Sequence, residues 1–354
     1  VVEKRSFYEN WYIDPTKSSD SLSESLLSNR IFVQFVPYNR EGVVGTVDGG
    51  LGWDHHQYFQ FRMDNYLSGY HTDKFNTYYA YADAKGFFGK WLDWHGRMRV
   101  NMAGYRAGDL NIDADAKLRL FVKERPITLS GSLSYALQSP SYWEQNYFSN
   151  HFAWSNNFSR QNITELKIAL EIPHTGTKVG FNQALIGNPI YYGTNAMPTQ
   201  SFGIESVTAV YLEQNFTLGG LHLDHKILFQ YSSSDEIFPV PRLSGNISYY
   251  YAFRPIRNVL WVRVGLVCWR NTPYYAQAYN PATMMFHNQQ EVMLGNYPYA
   301  NVFLTAKWKT MRIFVQYQHA SENLLDNYKD SFSVPLYPYN RALIKYGICW
   351  YFDN

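Results

Sequence analysis

Residues 110–138 read LNIDADAKLRLFVKERPITLSGSLSYALQ, and the period of that stretch decides the fold. Every second residue from Leu110 is apolar: Leu110, Ile112, Ala114, Ala116, Leu118, Leu120 and Val122. Between them stand Asn111, Asp113, Asp115, Lys117, Arg119, Phe121 and Lys123. After a tight turn at Lys123-Glu124-Arg125-Pro126, the set Ile127, Leu129, Gly131, Leu133, Tyr135 and Leu137 alternates with Thr128, Ser130, Ser132, Ser134, Ala136 and Gln138. A period of two belongs to a strand, whose successive side chains point to opposite faces. The stretch is a hairpin whose arms far exceed the ~5–6 residues usual in soluble sheets. At ~3.3 Å per residue and a tilt near ~40°, about eleven residues rise roughly 28 Å, the height of a bilayer's apolar band.

The pattern recurs along the chain. Leu92, Trp94, Met98, Val100 and Met102 oppose Asp93, His95, Arg97, Arg99 and Asn101. Leu166, Ile168, Leu170 and Ile172 oppose Lys167 and Glu171, and Leu221, Leu223, Ile227, Phe229 and Tyr231 oppose Asp224, Lys226 and Gln230. Leu260, Val262, Val264 and Leu266 oppose Arg263 and Gly265. Val302, Leu304, Ala306 and Trp308 oppose Asn301, Thr305 and Lys307, and Met311, Ile313, Val315 and Tyr317 oppose Arg312, Gln316 and Gln318. Ile344, Tyr346, Ile348, Trp350 and Phe352 oppose Lys345, Gly347, Cys349 and Tyr351. One face excludes charge almost completely, which suits lipid, where a midplane Lys or Arg costs ~2–4 kcal/mol. The expected fold is all-β: a transmembrane antiparallel up-and-down β-barrel of about 16 strands (roughly 14–18), spanning residues 1–354, with 1–30 in part an irregular N-terminal segment. A large soluble β-sandwich with one wet face is the competing architecture.

Composition points the same way. Aromatics make up 18% of the chain, yet mean hydropathy is −0.36. A barrel with a lipid-facing outside, a wet inside and aromatic girdles yields that mixture. Lys+Arg 31 against Asp+Glu 29 leaves no basic footprint for nucleic acid. No stretch approaches ~18 consecutive apolar residues, so no spanning helix is expected. The chain begins at Val1 and reads as a mature or trimmed protein. Cys268 and Cys349 fall on opposite strand faces and form no disulfide framework.

Connections are of two kinds. Short ones include Lys123–Pro126, Pro173–Gly176, Thr217–Gly220, Arg254–Arg257 and Lys309–Thr310. Long ones, rich in Tyr, Pro and Asn, include Gly187–Ser201, Ser232–Arg242, Arg270–Pro298 and Ala320–Arg341. Short turns on one rim and long loops on the other is the asymmetry of bacterial outer-membrane barrels. The alternation is clean from Thr177 onward. Upstream, Ser159–Gln161, Pro173–Gly176, Gly89–Trp91 and Arg106–Asp109 are all short, so up and down cannot be assigned there.

Several phrases carry a family likeness: Gly104 to Asp109 (GYRAGD), Ser149 to Phe158 (SNHFAWSNNF), Pro198-Thr199-Gln200 and Phe229 to Ser233. Further on come Gly295 to Pro298 (GNYP), Val334 to Pro338 (VPLYP) and Gly347 to Phe352 (GICWYF). In that order, from about Gly104 to Asn354, the chain resembles the Bacteroidetes-type putative porin family. The resemblance implies an outer-membrane barrel of a Gram-negative bacterium with passive transport, in a family whose members tend to be longer.

Candidate chemistry is sparse. Asp54-His55-His56 and His222-x-x-His225 put their imidazoles on opposite strand faces, so neither pair chelates from one face. His287 and His319 lie by long loops near Glu322, Asp326 and Asp330, but no motif joins them into a hydrolase site. No catalysis, no metal and no cofactor is expected. The informative set faces inward: Arg97, Arg99, Lys117, Arg119, Lys167, Lys226, Arg263, Lys307, Arg312 and Lys345 against Asp93, Asp113, Asp115, Glu171 and Asp224. This excess of five positive charges predicts a water-filled lumen with weak anion preference, unless the charges merely brace a filled interior as cross-strand pairs. Of the long loops, Tyr274 to Pro281 is the most distinctive. Tyr274, Tyr275 and Tyr279 offer stacking faces for sugars or peptides, or the loop closes over the mouth with Tyr192, Tyr297 and Tyr337.

The expected function is passive diffusion of small polar solutes through an outer-membrane porin, in contact with lipid and solute. The alternative is a non-conducting barrel serving as scaffold or accessory subunit of an envelope complex. A homo-oligomer or envelope protein partners are compatible with either.

Overall fold

A computed structural model describes residues 8–37, 43–62, 72–323 and 332–352. Among the described residues, fifteen strands form one sheet in which each pairs antiparallel with its neighbours in sequence. They are β1 (Leu22–Phe35), β2 (Thr46–Gln60), β3 (Thr72–Phe88), β4 (Leu92–Gly104), β5 (Leu110–Val122), β6 (Arg125–Gln138), β7 (Gln161–Ile172) and β8 (Thr177–Gly187). Then follow β9 (Ile204–Leu218), β10 (Leu221–Ser232), β11 (Leu243–Ile256), β12 (Leu260–Asn271), β13 (Tyr299–Trp308), β14 (Met311–Gln318) and β15 (Leu343–Trp350). Four two-stranded hairpins lie in the connections β6–β7, β8–β9, β12–β13 and β14–β15. Within the fifteen-stranded sheet the pairs register without interruption except at bulges by Tyr78/Tyr79 and Phe253/Ile256.

The meander resolves the direction of every strand, including those before residue 177. The whole of 139–160 is one long connection, holding a helical turn (Tyr142–Gln145) and a hairpin of Asn146–Phe148 with Ala153–Ser155. Ser159–Gln161 is therefore not a separate short turn. The five residues between β4 and β5 are short yet sit on the long-loop rim, so connection length alone misleads there. Gly104 and Gly108 bound that turn with φ of +91° and +89°, and a Cβ on Gly104 would lie 2.0 Å from the Asn76 carbonyl oxygen. β1 begins at Leu22, and the described residues 8–21 before it form no strand.

The cross-strand partners fix the two faces, and the phases read from the sequence hold. Lys117 stands opposite Asp93, Lys226 opposite Glu213, and Lys307 opposite both Trp261 and Arg312. The face carrying them is the inner one, since the long loops fold onto it. Cys349 lies on it opposite Arg312, and Cys268 lies on the other face. The outer face is a band of exposed Leu, Ile, Val and Phe: Leu133 is 49% exposed, Phe229 51% and Leu304 41%. Among the described residues no second sheet covers this band, which rules out the sandwich. An apolar belt of this extent belongs against lipid. β1 and β15, the two ends of the sheet, run in the same direction. Their outer side chains, such as Ile31 at 83% and Tyr346 at 81%, lack a neighbour on one side.

Candidate functional site: inner face and mouth

Strand phase alone places the candidate lining residues Arg97, Arg99, Asp113, Asp115, Lys117, Arg119, Lys226, Arg263, Lys307, Arg312 and Lys345 on this inner face. The sheet does not treat them alike. From β1 to β10 cations and carboxylates interleave. Asp54, buried, accepts from Ser28 Oγ at 2.5 Å and from Arg99 Nη2 at 2.6 Å, and the Arg99 guanidinium lies 3.6 Å from the centroid of the Tyr79 ring. Arg119 is bidentate to Asp93, one arm at 3.0 Å. His95 bridges Asp83 at 2.9 Å and Asp115 at 3.4 Å. Lys226 meets Glu213 at 2.8 Å. Register repeats the rule: Arg97 stands opposite Asp83 and Asp113, and Lys178 opposite Glu171 and Glu213. A cavity of about 690 Å³ opens on this wall between Asp93, Asp115, Lys117, Lys167, Glu171 and Lys178.

From β11 to β15 no strand carries an Asp or Glu. Its inner cations are Arg254, Arg263, Lys307, Arg312 and Lys345, all exposed. Rings hold several of them: Arg254 lies 4.4 Å from the centroid of Trp261, and Arg312 5.5 Å from that of Tyr351.

The excess of five positive charges expected inside does not survive the complete register. Arg30, Lys85, Lys178 and Arg254 join the inner cations, but so do Glu24, Asp48, Asp54, Asp73, Asp83, Glu165, Glu205 and Glu213 the acids. The totals become fourteen and thirteen. The additional acids come mostly from β1–β3, where alternation is weak, above all in the Gly- and His-containing β2. What distinguishes the interior is where the charges sit, not their sum.

The mouth is built from the long loops. Ser141 caps the turn Tyr142–Gln145 and closes a capping box with Glu144. This seats Tyr142 on β2: its ring stacks on Tyr58 with centroids 4.2 Å apart, its hydroxyl accepts from Gln60 Nε2 at 3.2 Å and donates to Asp73. Burial, then the Asp73 contact, pushes the Tyr142 phenol up. Asn150, almost wholly buried, ties residues 10–20 to this loop. Its Oδ1 accepts from the Ile13 and Asp14 amides (2.8 and 2.9 Å), and its Nδ2 donates to the Asp14 and Lys17 carbonyls (2.9 and 3.0 Å). His151 bridges Ser18 Oγ (2.6 Å) and the Asn10 carbonyl (2.9 Å).

Across the mouth, the Tyr147 hydroxyl donates to the Ala282 carbonyl at 3.1 Å, the Asn288 amide donates to the Tyr192 carbonyl at 2.8 Å, and Tyr279 packs edge-on to Tyr337. Tyr274 pairs through its backbone with Leu294 and is half-buried, as is Tyr279; Tyr275 points to solvent. Asn288 Nδ2 also donates to the Glu236 and Ile237 carbonyls, so the aromatic loop is mostly a packing element of a layer joining five connections. His319 is buried too, its Nδ1 donating to the Asn340 carbonyl at 2.7 Å and its Nε2 accepting from the Tyr297 hydroxyl at 2.6 Å, so it serves the packing of this layer. Asp326 and Asp330 lie outside the described residues. His55 faces outward and His56 inward, and His222 and His225 likewise part, by their cross-strand partners. Among the described residues no cluster of three or more His, Cys, Asp or Glu could hold a metal ion.

An antiparallel meander with an apolar outer belt, a polar inner face and long loops on one rim defines an outer-membrane β-barrel of a Gram-negative bacterium. The family described as "Putative porin" matches residues 2–354, and the chain belongs to it. Solved structures agree on the fold. A mutant ferric enterobactin receptor from Pseudomonas aeruginosa, in complex with enterobactin, is 12% identical over 87% of this chain and 50% of its own, with a TM-score of 0.59. The siderophore receptor PirA from Acinetobacter baumannii is 10% identical over 92% of this chain and 54% of its own (TM-score 0.60). The copper transporter OprC is 12% identical over 86% and 51% (TM-score 0.61). The chain thus spans about half the length of these barrels. A comparison with curated proteins gives no match.

Proposed function

We propose that the protein is a channel for passive diffusion of small polar solutes across the outer membrane, acting without cofactor or catalytic step. One observation carries this reading: along the inner wall, from one rim to the other, the charges face solvent. Lys117, Lys167, Lys226, Arg263, Lys307 and Lys345 are all exposed, whereas a braced, filled interior would bury them. Family membership supports the same reading. Cations and acids nearly balance overall, so anion preference is weak and arises from the acid-free wall of β11–β15. Single-channel recording on the full chain in planar bilayers tests it. Steady conductance with a reversal potential slightly on the anion side is expected. Absence of conductance would favour a scaffold whose interlocked loops close the mouth, and clear cation selectivity would defeat the charge assignment.

A further inference from the structure

We infer that the acid-free wall holds a binding site for phosphate-bearing organic anions, close to the short-turn rim. Lys307 and Arg312 are direct cross-strand partners on the inner face. Such partners place their Cβ atoms ~4.5–5.5 Å apart, and like charges there destabilise a sheet. Elsewhere on this face charged partners are mostly of opposite sign, as with Asp93 and Lys117 or Arg97 and Asp113, and the like-charged partners Asp48 and Asp83 are compensated by His95, 2.9 Å from Asp83, and by Arg97 opposite it. Two apposed cations beside the two-residue turn Lys309–Thr310 are therefore a cost to the fold that a bound anion would offset.

Arg263 joins them, two residues along β12 from Trp261, which itself faces Lys307. These side chains line a cavity of about 570 Å³ together with Phe314 and Tyr351. Rings flank the two guanidinium groups: Arg263 lies 5.7 Å from the centroids of Tyr250 and Trp261, and Arg312 is 5.5 Å from Tyr351. A ring face steadies a guanidinium without occupying its N–H donors. Among the described residues, Arg263, Lys307 and Arg312 have no hydrogen-bonded or ion-paired partner, so those donors stand ready.

The chemistry of the cradle selects its ligand class. Three uncompensated cations match a dianion better than a monocarboxylate, and the arginine fork binds phosphate oxygens two at a time. The faces of Trp261, Phe314 and Tyr351 in the same cavity suit a planar organic portion. The site rests on the diffusion reading for how a solute reaches it, but binding can be read without transport.

The test titrates phenyl phosphate, inorganic phosphate and benzoate into the full chain in detergent micelles, followed by ³¹P line width and by competition, beside chloride conductance in bilayers. Phenyl phosphate is expected to bind about tenfold tighter than benzoate, with Arg312→Gln and Lys307→Gln each weakening it about tenfold. Arg312→Lys, which keeps the charge but not the fork, gives an intermediate loss. Equal binding by wild type and both Gln variants, or no preference over benzoate, overturns the site. Conductance without phosphate binding overturns the site and leaves the diffusion reading standing. Phosphate binding without conductance does the reverse.

Discussion

The inner faces of β1–β10 and of β11–β15 solve the same problem differently. Each must carry cations on the inner wall of the barrel. The first wall neutralises them: Arg99 on Asp54, Arg119 on Asp93, Lys226 on Glu213. The second contains no carboxylate and props its arginines on Trp261, Tyr250 and Tyr351. A carboxylate fixes a cation by cancelling its charge, while a ring fixes it and leaves the charge available. One wall thus contributes stability and the other contributes field. The difference can be broken by showing that removal of a charge costs the same on both.

The largest effect is expected at Asp54. Asp54→Asn removes the carboxylate that Arg99 and Ser28 share in a buried setting, leaving the guanidinium without its ion pair. Breaking a buried pair from one side costs about 3 kcal/mol. Urea unfolding in micelles, or the temperature at which the folded band disappears on a gel, should show it. A loss under about 1 kcal/mol would mean that the Tyr79 ring, not Asp54, holds Arg99.

Alkaline pH should act next, on the loop layer seated over the paired wall. Burial pushes the Tyr147 phenol up to about 12 from its ordinary 10. The unfolded chain sheds this proton first. The contribution is therefore fully present below about pH 10 and is lost as pH rises through about 12. Proteolytic access to 139–160 should rise in that window, and Tyr147→Phe should flatten the step. A mouth that opens equally in the variant would assign the change elsewhere.

Arg263→Ala tests the opposite wall. No ion pair is broken, so the loss is that of an exposed cation–π contact, about 0.5–1 kcal/mol. Unfolding should barely move while the reversal potential shifts toward cations. A cost matching that of Asp54→Asn would erase the distinction between the walls.

The faces were legible in the sequence because a period of two leaves no freedom once a strand is long. Lys307 and Val302 could be assigned before any pairing was known. Charge partners were not legible, because they depend on register: Arg97 meets Asp83 and Asp113 only through two different neighbours. The acids of β1–β3 escaped because stretches such as Asp48 to Gly52 alternate too weakly to phase. The direction of the early strands escaped because the turn after β4 is short on the wrong rim, and because 139–160 spends its aromatics on a capped turn and a three-residue hairpin. Asn150 and His151 belong to the SNHFAWSNNF phrase, but their role in tying down residues 10–20 rests on contacts between segments far apart in sequence.

The smallest effect is expected where the two walls join. Glu213 on β9 and Asp224 on β10 are the last strand-borne carboxylates before the acid-free strands. Glu213 meets Lys226 at 2.8 Å, but the Lys226 side chain is 56% exposed. An exposed pair contributes only about 0.2–1 kcal/mol, so Glu213→Gln should leave unfolding almost unchanged. It should nevertheless free Lys178 as well as Lys226, since both stand directly opposite Glu213. The acid-free field then reaches back toward β8, and the reversal potential should move a few millivolts toward anions, most clearly at low salt, where screening is weakest. Stability lost at Glu213 on the scale of Asp54 would show that membership of the paired wall, rather than burial of the pair, sets the cost. An unmoved potential would show that Glu171, also opposite Lys178, holds that charge by itself.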